Sequence, residues 1–91
     1  MSDTPSPDSP HLEGGEEQQA LDTVQEVVNW YNTQIVTERR NPVPDEERIE
    51  KLKTDRQTVL EDRKRLETAD PKETAQIAAR YAARLKELTD S

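Results

Sequence analysis

The side chains able to do chemistry are many in number and narrow in kind. The chain has twenty Asp and Glu, thirteen Lys and Arg, one His and no Cys. His11 alone, with no thiolate beside it, does not make a transition-metal site. It also falls outside the helical segments, which leaves them without a general base of near-neutral pKa. No Glu-x-x-His pair, glycine-rich phosphate loop or nucleophile elbow is present, and both glycines stand together at Gly14-Gly15. The expectation is a protein that is not an enzyme, with no catalytic, cofactor-binding or metal-binding residues and no small-molecule substrate.

Three other groups carry more information. Trp30 is the only Trp. On a helix turning about 100° per residue it lies about 120° from the centre of the stripe Leu21, Val24, Val28, Tyr31 and Ile35, with Val27 in between. A lone Trp is more often packed than presented, so a core position comes first. A position as an interface anchor comes second, because Trp is enriched at binding hot spots. Val27 and Trp30 are therefore candidate partner contacts. Arg56 and Arg63 occupy positions where a heptad seam wants apolar groups. Either their stems cover the seam edge and their heads reach water, or they pair with acids on another helix or another chain and fix register; Glu26 and Glu38 are available acids. They too are candidate contacts. Arg80, Arg84 and Lys86 give one segment a mild basic face and are candidate nucleic-acid contacts. Glu73, Glu87 and Asp90 balance that face, so direct nucleic-acid binding is the secondary expectation.

The elements that position these residues are helices. Leu21 to Val36 holds apolar groups at steps of three and four, and the first helix is expected over about 17–39. A strand is the competing reading because β-branched residues are frequent here. Alternation, however, mixes polar and apolar groups on both faces, and the helical template sorts them better. Asn41-Pro42-Val43-Pro44-Asp45 stops the helix. Pro44 suits a first helical position, followed by Asp45, Glu46 and Glu47. The second helix, about 45–67, carries Ile49, Leu52, Val59, Leu60 and Leu66. Its acid-before-base pairs are Glu47 with Lys51 and Glu61 with Arg65. Asp70, Pro71 and Glu73 mark the start of a third helix, about 71–88. Residues 1–15 hold three Pro, both Gly and three Ser, and read as a disordered acidic tail. The expected architecture is all-α: a three-helix, up-down-up, coiled-coil-like bundle over residues 16–91.

Composition limits what such a chain can do. Hydrophobic residues make up 30% and charged residues 36%, so the core is thin and self-association or a partner is expected. The net charge of −7 is concentrated: residues 1–19 hold five acids and no Lys or Arg, and the rest holds fifteen acids against thirteen bases. That argues against non-specific binding of DNA or anionic membrane. No apolar run reaches the ~20 residues of a membrane helix, and no basic-then-apolar leader is visible. A cytoplasmic protein is expected. Its expected function is protein–protein interaction by helix-face packing, as an adaptor, accessory subunit or self-associating module, with a homodimer among the forms considered. The alternative is a small regulator of nucleic-acid transactions. It would act by direct contact through the third helix or by masking a DNA-binding partner.

Overall fold

The structure is a computed structural model that describes residues 8–90, with side chains from Gly15 onward. Residues 1–7 of the expected tail lie outside the described residues, whereas residues 8–15 are helical and open α1, which begins at Asp8 and not near residue 17. Three helices follow one another: α1, Asp8–Arg39; α2, Glu46–Arg65; α3, Pro71–Asp90. No strand occurs among the described residues.

The helix α1 forms despite its β-branched residues because burial outweighs propensity. Ala20, Val24, Val27, Val28, Tyr31 and Ile35 are all buried. These positions cover more than one stripe, since α1 serves two neighbours. Both α2 and α3 pack along it, whereas they meet each other at few points. The result is an elongated body, 59 × 28 × 20 Å. At 1.5 Å per residue α1 is about 48 Å long, and α2 and α3 are about 30 Å each.

The connection between α1 and α2 is fastened by one carboxylate. Glu38 Oε2 accepts from Asn41 Nδ2 at 2.9 Å and from the Asp45 backbone N–H at 3.1 Å. Its other oxygen lies 3.4 Å from Arg48 Nε. Asp45, not Pro44, opens α2: it is the N-cap, extended at φ −89°, ψ 101°, and accepts from the Arg48 N–H at 3.1 Å. A side-chain acceptor satisfies an orphan N–H that a proline ring cannot. At α3, Asp70 Oδ1 accepts from the Glu73 N–H at 2.8 Å, as the Asp-Pro-x-Glu start predicts. Asp45→Ala and Asp70→Ala are each expected to cost about 1 kcal/mol in urea denaturation.

The core is tightest beside the turn joining α2 and α3, where Leu66 and Ile77 are each 1% exposed. Further along α3 the apolar groups are only partly covered: Leu85 and Leu88 are half-buried against the core, as is Trp30 on α1. The bundle is closed at one end and open at the other.

Candidate partner-binding cleft

The gap between α2 and α3, floored by α1, brings together Trp30, Arg80 and Arg84 of the sequence candidates. Its open end is a groove of about 190 Å³ lined by Trp30 and Tyr31 from α1, Arg48, Lys51 and Leu52 from α2, and Leu88 from α3. Trp30 meets Tyr31 edge to face, with ring centroids 5.2 Å apart and planes at 85°. It therefore spans the two expectations, packed on the core at one edge and open to a groove at the other. Val27 is 0% exposed and is corrected from partner contact to core residue. Its place between the two flanks of α1 is where both neighbouring helices close over it.

From Tyr31 a polar network runs toward the closed end. Arg84 Nη1 donates to Tyr31 Oη at 3.2 Å, and the Arg84 guanidinium stands 6.0 Å from the centroid of the Tyr81 ring. The Tyr81 hydroxyl donates to Asp62 Oδ2 in a short hydrogen bond. Asp62 is 7% exposed, and its carboxylate is also approached by Arg65 at 3.4 Å and Arg80 at 3.6 Å. Tyrosine and aspartate together are long enough to tie two helices that hardly touch. A buried carboxylate is tolerated only when it is paired and hydrogen-bonded, and three partners satisfy this one.

Burial pushes the Tyr81 hydroxyl far above the ordinary tyrosine range. The hydrogen bond to Asp62 and the charge of Asp62 push the same way, and Arg84 and Arg80 oppose them. The folded chain thus favours the neutral phenol. That contribution is whole below the unfolded tyrosine pKa of about 10 and is lost as pH rises beyond it. Urea midpoints are expected to fall above about pH 10, and Tyr81→Phe is expected to flatten part of that fall.

Arg56 and Arg63 sit at the other side of α2, facing α1. Arg56 Nη1 donates to Asn32 Oδ1 at 2.8 Å, and Arg63 Nη1 donates to Gln25 Oε1. Their partners are neutral amides and not the acids Glu26 and Glu38. Both bonds join α1 to α2 within the chain, so they hold the two helices together and do not reach a partner. The sequence-expected pairs of α2 also shift: Lys51 takes Asp55 at 3.2 Å, and Arg65 takes Asp62. Of the candidate nucleic-acid contacts, Arg80 and Arg84 are engaged by Asp62, Tyr31 and Tyr81, while Lys86 is exposed.

Asp62 is the buried, multiply paired residue that sequence reasoning passed over. Its signal was present, since Val59, Asp62 and Leu66 follow the same three–four spacing as a buried stripe. A larger groove, lined by Ala75, Ala78, Ala79 and Ala82 opposite Gln19 and Thr23, offers space but no aromatic anchor. Among the described residues no cluster of His, Cys, Asp or Glu is placed to hold a metal ion, and no helix is long and apolar enough to cross a membrane. Comparison of the chain with protein-family models, curated proteins and solved structures finds no match.

Proposed function

We propose that this chain is a small protein–protein interaction module that seats a partner's apolar side chains in the cleft between α2 and α3. One observation supports the reading above the others. Trp30, the largest side chain in the molecule, is half-buried at the open end with a groove beside it. Aromatic groups in such settings dominate binding energy when a partner completes their burial. Arg56 and Arg63 hold α2 on α1 and stand behind the site without belonging to it. The partner is a second protein or a second copy of this chain, and no catalysis is proposed.

A photoreactive residue in place of Lys51, at the groove rim, tests this in cells that make the protein. The expected result is a discrete adduct that is lost when Trp30→Ala is added. The same residue at Gln57, exposed on α2 away from the groove, is expected to give none. Equal adducts from both positions, or adducts indifferent to Trp30, would remove the cleft as the binding face.

A further inference from the structure

The cleft presents cations to a partner even though the chain as a whole is acidic. Its walls carry Arg48, Lys51, Arg65, Arg80 and Arg84. The acids are Asp55, Asp62 and Glu38, with Glu87 one heptad beyond Arg80. Charge alone nearly cancels; depth does not. The side chains of Asp62 and Glu38 are 10% and 14% exposed, and Asp55 is 36% exposed. Arg48, Arg65, Arg80 and Lys51 are 51%, 54%, 56% and 76% exposed. These three carboxylates lie low and the cations stand above them; Glu87 is exposed and is the one acid of the four level with the rim. A guanidinium has five N–H donors, and a single long ion pair leaves most of them free to face outward. The low carboxylates also hold the arginine heads in place, which reduces the entropy lost when a ligand engages them.

Resting on the reading of the cleft as a docking site, we infer that its occupant is an acidic amphipathic helix of a protein partner. Such a helix would lay an apolar seam on Trp30, Leu52 and Leu88 and turn Asp or Glu flanks toward the rim. The Tyr81–Asp62 bridge closes the gap at the turn end, but Trp30 and Leu88 stay half-buried at the open end, and a helix is the element that covers them with its backbone bonds already satisfied. Nucleic acid shares the negative charge but fits less well. The groove floor is apolar, and Asp55 and Asp62 would lie beneath the phosphates.

The test uses the full chain and two synthetic three-heptad helices with Leu at the seam, one flanked by Glu and one by Lys. Binding is read from Trp30 emission at low and high salt. The Glu-flanked helix is expected to bind about tenfold or more tighter than the Lys-flanked one at low salt, with the gap closing as salt rises. Lys51→Gln, Arg65→Gln and Arg80→Gln together should erase most of that preference. Each single variant, with its helical circular dichroism checked, should erase part of it. Equal binding of the two helices would overturn the charge inference and leave the cleft in place. Binding of neither, with the fold intact, would overturn the inference outright, while the adduct at position 51 judges the cleft separately. A duplex or single-stranded oligonucleotide that binds with the same arginine dependence and displaces the Glu-flanked helix would overturn it in favour of nucleic acid.

Discussion

Tyr81→Ala is expected to cost about 3–5 kcal/mol of stability, the range for deleting a buried aromatic ring. Tyr81 is 2% exposed, and its loss also removes the hydroxyl that donates to Asp62. The half-exposed arginines Arg65 and Arg80 would remain and soften the penalty of the abandoned carboxylate. Domains of this size hold roughly 0.05–0.15 kcal/mol per residue in total, so the change would consume a large share of the stability. Tyr81→Phe, which keeps the ring and drops the hydroxyl, is expected to cost about 1–3 kcal/mol. Urea denaturation followed by far-ultraviolet circular dichroism separates the two. Equal shifts in midpoint would mean that the ring packs on nothing and that the hydrogen bond alone matters.

Leu66→Ala is expected to cost about 2–5 kcal/mol, and Trp30→Ala less than half as much although it deletes far more atoms. Leu66 is 1% exposed at the closed end, where its removal leaves a cavity that the turn and Ile77 keep from collapsing. Trp30 is only half-buried at the open end, and water enters where its ring is removed. Denaturation midpoints of the two variants, measured side by side, decide the point. A Trp30→Ala variant less stable than Leu66→Ala would make Trp30 a core residue and withdraw it from the binding surface.

The three helices and their limits from Arg39 onward were legible because their signals are local; the start of α1 at Asp8 carries no such signal and was expected near residue 17. Asp70 before Pro71 predicts a cap, and the observed bond to the Glu73 N–H is that cap. The double proline at Pro42 and Pro44 predicts the break, although the choice of Asp45 as the cap that opens the helix, in place of Pro44 as its first residue, depends on which group satisfies an N–H. Partnerships between helices were less legible. An arginine at a seam position suggests an acid opposite, but Asn32 and Gln25 were the groups within reach. Val27 lies between the stripe and Trp30, and the sequence alone left open whether that flank meets a second helix or a partner; two neighbours on α1 make it interior. The spacing of Asp62 marks it as buried, but nothing in its own helix shows that Tyr81 and Arg80 stand across the gap.

The two bonds between α1 and α2 have a consequence for how the helices find their alignment. Gln25 and Asn32 are seven residues apart, and so are Arg63 and Arg56. The rungs are chemically alike and repeat at the same interval on both helices. Sliding α2 by one interval would keep one rung intact, so this ladder on its own is a scale with identical marks. What supplies the zero is the short span from Arg40 to Asp45, pinned at both ends to Glu38. A slide of seven residues is about 10 Å along the axis, more slack than that pinned span contains. Glu38 thus serves the alignment of residues far from it, and lengthening the span by a few glycines would leave two alignments to compete.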